Sequence, residues 1–170
     1  MKTLCLICRG CGQPEAVQEL RLLVEQHGPE MVFLLETKMS AHKAKNLRFS
    51  LGFENAIGVE SEGLSGGLLL LWRKDTIIQQ KSVSNSHIDV LVCSDTLGGK
   101  VWRFTGFYGQ PHNSRRKESW YLLKFLRNES DLPWICAGDF NEVLSEEEHL
   151  GSNKRGEWSM AGLREAVQYC

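Results

Sequence analysis

Three polar clusters in this 170-residue chain stand at the ends of apolar runs, and each carries groups suited to phosphate or metal chemistry. Glu36 follows the run Met31–Leu35 in Leu34-Leu35-Glu36-Thr37. Tyr108 closes the run Val101–Tyr108 in Gly106-Phe107-Tyr108-Gly109. Asp139 and Asn141 follow Trp134–Ala137 in Ala137-Gly138-Asp139-Phe140-Asn141. Strand ends in α/β proteins set side chains beside one another at one rim, where ligands bind. Glu36, Asp139 and Asn141 offer only oxygen donors, which suit a hard cation such as Mg²⁺ or Mn²⁺ rather than zinc. Such a cation polarises a phosphoryl oxygen, and the Tyr108 hydroxyl can donate to one. Taken singly, each has a plainer account: Glu36 as a solvated turn residue, Gly-Asp-Phe-Asn as an ordinary turn, Tyr108 as packing. Only their order and shared strand-end position set those accounts aside.

The elements that must position these residues are legible from periodicity. Lys2–Cys8 is a short, almost wholly apolar run, read as a buried strand. A Gly-containing loop leads to a helix over Pro14–His27, with Pro14 in its first turn, Val17, Leu20 and Val24 on one face, and Gly28-Pro29 as its stop. After the Met31–Leu35 strand, Ser40 reads as the N-cap of a helix ending near Gly52. Phe53–Val59 reads as a short strand and Glu60–Ser65 as a polar loop. Gly66–Trp72 is a strand whose two leading glycines predict close backbone approach. Ile77–Val83 and Ile88–Cys93 are strands joined by a Ser-Asn-Ser turn, and a hairpin turn over Thr96–Lys100 leads into Val101–Tyr108. Ser114 reads as the cap of a helix through Arg127 with Trp120, Leu123 and Leu126 inward. Trp134–Ala137 is a strand and Trp158–Tyr169 a last helix. Helices and strands alternate at both ends, but strands adjoin in the middle. That order predicts a mixed α/β fold: two mixed sheets packed face to face with helices outside, in one domain over residues 1–170.

Composition narrows the class. Hydrophobic residues make up 42% of the chain, enough for a core. No apolar run approaches the roughly 18–20 residues of a membrane span, and the N-terminal stretch lacks a signal peptide's cleavage site; no membrane partner and an intracellular location are expected. The net charge is −1, so an anionic substrate must be held by a local patch or a metal ion. Arg115-Arg116-Lys117 and Lys154-Arg155 are candidate phosphate contacts, or solvated surface. Of six cysteines, Cys5, Cys8 and Cys11 form C-x-x-C-x-x-C. With Cys5 and Cys8 three apart on a strand, they should diverge, so small apolar residues in a reducing compartment are expected rather than a metal cradle.

Taken as an ordered set, these motifs resemble a known family. Pro133-Trp134-Ile135-Cys136-Ala137-Gly138-Asp139-Phe140-Asn141-Glu142 resembles the Gly-Asp-Phe-Asn motif of the endonuclease/exonuclease/phosphatase superfamily, and Val32-Phe33-Leu34-Leu35-Glu36-Thr37-Lys38 resembles its Glu-Thr motif. Ser65-Gly66-Gly67-Leu68 and Gly106-Phe107-Tyr108-Gly109 fall between them in the family's order. Met1-Lys2-Thr3-Leu4 with Cys8-Arg9-Gly10 and Gly12 resembles the opening of plant LINE-type retrotransposon endonuclease domains. The resemblance implies a four-layer α/β sandwich and Mg²⁺-assisted phosphodiester hydrolysis by activated water. It implies Glu36 as metal ligand, Tyr108 at the scissile phosphate, Asp139 orienting the nucleophile or protonating the leaving group, and Asn141 holding the phosphate and Asp139. It implies DNA as substrate, with the nucleus as the site of action if that DNA is genomic; a monomer is expected.

Two departures stand out. Ile7 occupies a position where the family has an Asn that helps bind metal or phosphate, and Ile7 cannot coordinate. The family's closing Ser-Asp-His segment is not found before Cys170, and His27, His42, His87, His112 and His149 do not stand in that context; His149, after three Glu residues, reads as solvated. An incomplete second sheet, an open edge and marginal solubility are expected, with weak or absent hydrolysis, since losing an acid–base partner costs about 10²–10⁴ in rate. A degenerate or truncated LINE-type DNA endonuclease accounts for all of this. A small-molecule phosphoesterase of the same superfamily and a non-catalytic DNA- or protein-binding module remain alternatives.

Overall fold

A computed structural model describes residues 1–63, 65–94, 98–149 and 156–170. Its elements run β1 (Thr3–Ile7), α1 (Pro14–His27), β2 (Met31–Leu35), α2 (Ala41–Leu51), β3 (Asn55–Glu62), β4 (Ser65–Trp72), β5 (Thr76–Ser84), β6 (His87–Ser94), β7 (Val101–Tyr108), α3 (Arg116–Asn128), β8 (Trp134–Asp139) and α4 (Glu157–Tyr169). The strands form two mixed sheets of four, ordered β1-β2-β4-β3 and β5-β6-β7-β8. The chain divides into two compact units. The first holds Met1–Phe107 with Leu132–Gly138; the second holds Tyr108–Asp131 with Asp139–Cys170.

In the first unit, β2 is the axis of the first sheet, parallel to β1 and antiparallel to β4. Met31, Val32, Phe33, Leu34 and Leu35 are all fully buried, because both faces of the strand are covered. Val32, Leu34, Leu69 and Leu71 pack with Leu20 and Val24 of α1 and with Ala44, Leu47 and Leu51 of α2. On the other face, Phe33 meets Phe104 of the second sheet edge-to-face, with ring centroids 6.0 Å apart. A Cβ on Gly106 would fall 2.4 Å from the Phe33 ring, so the second sheet needs a glycine where that ring lands.

The signals of the first two helices act as read. Pro14 stands at the first turn of α1, and Gly28 ends it at φ 55°. The Ser40 hydroxyl accepts from the Lys43 N–H at 3.4 Å, and Gly52 closes α2 at φ 73°. Several readings are corrected. The first strand is shorter than Lys2–Cys8 and is an edge strand, half-buried in its middle rather than fully buried, because only β2 flanks it. The polar segment from Glu60 belongs to β3 as far as Glu62, since Ser61 pairs with Gly66 and Glu62 with Ser65. The β5–β6 turn is tighter, over Asn85 and Ser86. Thr96 and Leu97 of the next hairpin turn lie outside the described residues, and Gly98 and Gly99 adopt positive φ.

The second sheet carries a buried polar network. Arg103 Nε and Nη2 donate to the two oxygens of Asp89 at 2.8 and 2.9 Å. The Thr105 hydroxyl donates to Asp89 Oδ1 at 2.6 Å, and the Trp134 indole N–H donates to that hydroxyl at 2.8 Å. Arg103 also stacks over the Trp134 ring. The Arg103 N–H donates to the Pro133 carbonyl at 2.8 Å, and the carbonyl of Phe107 crowds Gly138, so β7 and β8 run in parallel.

In the second unit, α3 and α4 pack together. Trp120, Leu123 and Leu126 are buried on α3, and Met160, Leu163 and Ala166 on α4. Ser114 does not cap α3: it lies inside a 3₁₀ turn, Asn113–Arg115, that leads into the helix. No helix among the described residues is long and apolar enough to cross a membrane.

Candidate active site

Glu36 is the first residue past the dry strand β2, and its backbone lies in the left-handed region at φ 54°. Lys38 does the same at φ 53°. Non-glycine residues there cost of order 1–3 kcal/mol and persist where surrounding contacts hold them. The contacts are visible. Thr37, fully buried, donates its N–H to the Gly67 carbonyl at 3.1 Å, and Lys38 donates to Gly66 at 3.1 Å. A Cβ on Gly67 would lie 2.4 Å from the Thr37 hydroxyl, which is the close approach that the glycine pair predicted.

From the other side, the loop after β1 is laced to the same turn. Cys8, Gly10 and Cys11 donate backbone N–H groups to the carbonyls of Leu35, Glu36 and Thr37 at 2.9, 2.8 and 3.0 Å. Because β1 stops at Ile7, Cys8 lies in this loop, where the expected divergence from strand alternation no longer applies. A hydrogen bond between the Cys8 and Cys11 side chains pushes the Cys8 thiol up, with burial and the neighbouring Cys11, Cys5 and Glu36 adding to it; the same bond holds Cys11 down against its own burial. Ile7 pairs with Leu35, one residue before Glu36, and is 47% exposed, so an apolar side chain stands at the rim beside the carboxylate's strand.

In the second unit Asp139 and Asn141 come together, bonded to Gly109, the residue after Tyr108. Tyr108, 8% exposed, ends β7, and Asp139 ends β8. The Gly109 N–H donates to the Asp139 carbonyl at 2.7 Å. Asp139 Oδ1 accepts the Asn141 backbone N–H at 2.8 Å, while the Asn141 side-chain amide donates to the Gly109 carbonyl at 2.8 Å. Asn141 has φ 55°, a region that Asn tolerates better than most residues. The turn Asp139-Phe140-Asn141 is thus an ordinary Asx-type turn put to use: it fixes the carboxylate and ties the exits of β7 and β8. Gly138 and Gly109 let this happen, since a Cβ would fall 1.9 Å from the Phe107 carbonyl oxygen at the first and 2.3 Å from that of Phe140 at the second.

The basic triplet reads differently in the structure. Arg116 is buried and bonds Glu142 and Ser159, with the Glu142 contact as an ion pair, so it is neither a phosphate contact nor a solvated residue. Arg115 pairs with Glu118 on the surface at 2.9 Å. Lys154 and Arg155 lie outside the described residues. His149 is half-buried at the end of a short 3₁₀ turn rather than solvated. A cleft of about 940 Å³, lined by Thr3, Cys5, Trp102, Phe104 and Trp134 among others, is apolar and holds none of the predicted site residues.

Glu36 offers oxygen donors, the kind that suits a hard cation. Among the described residues no group of three or more His, Cys, Asp or Glu could hold an ion. Mg²⁺ is commonly held by one or two carboxylates, with water and substrate phosphate completing the shell, and Glu36 can supply such a carboxylate.

Comparison with known proteins bears on the family and the fold. Residues 8–168 match the model of the Endonuclease/Exonuclease/phosphatase family. No curated protein sequence matches. Among solved structures, an AP endonuclease from Archaeoglobus fulgidus matches with TM-score 0.74 and 12% identity, over 99% of this chain and 70% of that one. The 3′ phosphatase NExo from Neisseria, bound to a product DNA hairpin, matches with TM-score 0.69 and 12% identity, over 99% and 71%. The endonuclease domain of TRAS1, a telomere-specific non-LTR retrotransposon, matches with TM-score 0.62 and 14% identity, over 96% and 69%. The fold is that of a mixed α/β nuclease or phosphatase. The chain belongs to the Endonuclease/Exonuclease/phosphatase family.

Proposed function

We propose that this chain is a Mg²⁺-dependent phosphodiester hydrolase domain of the LINE retroelement type, acting on DNA with weak activity. The observation that carries the reading is the Asp139–Asn141–Gly109 arrangement at the exits of β7 and β8, in a chain of this family. Asp139, which accepts the Asn141 N–H, would orient a water or give up a proton to the leaving oxygen. Tyr108, at the end of β7, would donate to a phosphate oxygen. Asn141 keeps both strand ends in register. Glu36 would hold the cation, whose contribution is to neutralise charge building on the phosphoryl oxygens. The DNA-bound relative and the retrotransposon domain support DNA as the substrate class. Ile7 supports weak activity: no polar atom of its side chain can assist at the rim beside Glu36. On this reading the protein acts in the nucleus.

The test is nicking of supercoiled plasmid with Mg²⁺. Slow nicking that Asp139→Asn abolishes and Ile7→Asn accelerates is expected. Nicking unchanged by Asp139→Asn would overturn the site. Release of inorganic phosphate from a nucleotide or inositol phosphate without nicking would assign the same site to small phosphoesters.

A further inference from the structure

With a net charge of −1, the chain can hold a polyanion only through a local patch. The basic run at the start of α3 loses two of its three cations to pairing, Arg115 to Glu118 and Arg116 to Glu142. A different basic pair stands in the first unit, on the two segments laced together around Glu36. Arg9 precedes Gly10, whose N–H donates to the Glu36 carbonyl at 2.8 Å. Lys38 lies two residues past Glu36. Its Cδ is 3.8 Å from where a Cβ of Gly10 would stand, so its stem runs over the residue next to Arg9. Both side chains are exposed, and among the described residues neither makes a hydrogen bond or ion pair. Their charge is not taken up by Glu36 or by any other acid. Backbone strain gathers at the same place. Four non-glycine residues among those described have positive φ, and three of them are Arg9, Glu36 and Lys38, at 53°, 54° and 53°. Gly or Asn adopts that conformation at lower cost. Cations stand there instead, and such strain concentrates where a ligand is held.

We propose that Arg9 and Lys38 form a clamp on the DNA backbone, each meeting a phosphate of the strand that lies along the Glu36 rim. The proposal rests on the reading of this chain as a DNA-acting domain and names where the strand is gripped. The Arg9 guanidinium offers parallel N–H donors to phosphate oxygens, and the Lys38 ammonium acts as a point charge. Phosphate contacts position a strand without reading its bases, so the clamp places DNA without selecting a sequence. Each contact displaces counterions, which makes affinity fall with salt.

Fluorescence anisotropy of a labelled DNA duplex, titrated with the full chain in EDTA at several salt concentrations, tests this without cleavage. Arg9→Gly and Lys38→Gly remove the charges while suiting the left-handed backbone, so both variants should melt no lower than the native chain. Each is expected to flatten the slope of log affinity against log salt by about 1, and the double variant by about 2. Lys81→Gln, which removes one exposed charge on β5, should leave the slope unchanged. An unchanged slope in the double variant, equal flattening in Lys81→Gln, or no binding of the duplex by the native chain would overturn the clamp. Should a glycine variant not fold, Arg9→Gln with Lys38→Gln carries the same readout. An unchanged slope in a chain that nicks plasmid strikes the clamp alone. A flattened slope in a chain that never nicks keeps the clamp and strikes the hydrolase reading.

Discussion

The backbone N–H of Asn141 and the carboxylate of Asp139 are hydrogen-bonded at 2.8 Å, so the residue that positions the acid does so with its main chain. Its side chain is committed elsewhere, to the Gly109 carbonyl. The two roles can be separated. Asn141→Gly keeps the bond to Asp139, loses the bond to Gly109, and should cost about 1 kcal/mol. Asn141→Ala loses the same bond and adds a left-handed backbone penalty of about 1 kcal/mol or more. Urea unfolding should therefore rank native, Gly, Ala in falling order; an Ala variant as stable as the Gly variant would show that the turn is not strained.

Gly138 and Gly12 give a paired test. At Gly138 a Cβ would sit 1.9 Å from the Phe107 carbonyl oxygen, on a backbone at φ 152°. Gly138→Ala should destabilise by about 3 kcal/mol or more, since strands β7 and β8 must separate. At Gly12 nothing lies within 4 Å and φ is not in the left-handed range, so Gly12→Ala should be neutral or stabilise by about 0.4–1 kcal/mol. Thermal melts of the two variants check the contrast.

The Asp89–Arg103 pair is buried at 2% and 1% exposure. Arg103→Met strands a buried carboxylate and should cost about 3–5 kcal/mol, whereas the double change Arg103→Met with Asp89→Leu should recover much of that loss. Denaturant midpoints of the two variants read this out, and a double variant worse than the single would count against it.

Stability should also depend on pH through His87. Burial, and more weakly Arg103, hold its imidazole below the ordinary histidine value, with Asp89 opposing. Its ring nitrogens bond the Ser82 and Ser84 hydroxyls at 2.8 Å each. Below about pH 6.5 the unfolded chain takes up a proton that the folded chain resists. The unfolding free energy should therefore fall as pH drops from about 6.5, until the lowered folded value is reached. Urea titrations at pH 7.5 and 5.5 should show a smaller drop in His87→Gln than in the native chain.

How much of this was readable in advance follows from distance along the chain. The strand Met31–Leu35, the Ser40 cap and the Gly28 and Gly52 stops are local signals, and they held. Glu36, Tyr108 and Asp139 are legible as strand-end residues because each stands where an apolar run ends: Tyr108 and Asp139 end β7 and β8, and Glu36 follows β2 directly. Arg116 was misread because its neighbours Arg115 and Lys117 suggest surface, while its partners Glu142 and Ser159 lie 26 and 43 residues away. The end of β1 was not legible, because the apolar run continues one residue past it, to Cys8. Asp89, within the apolar run Ile88–Cys93, was a visible sign of a buried charge, but its partner Arg103 could not be named without the register of β6 and β7.

The dryness of β2 has a consequence in time. With all five side chains shielded from water on both faces, the amides of Met31–Leu35 should exchange with deuterium only when the whole unit opens. Glu36 stands at the edge of that slowest-exchanging segment, so the backbone that carries it should move only when the unit opens.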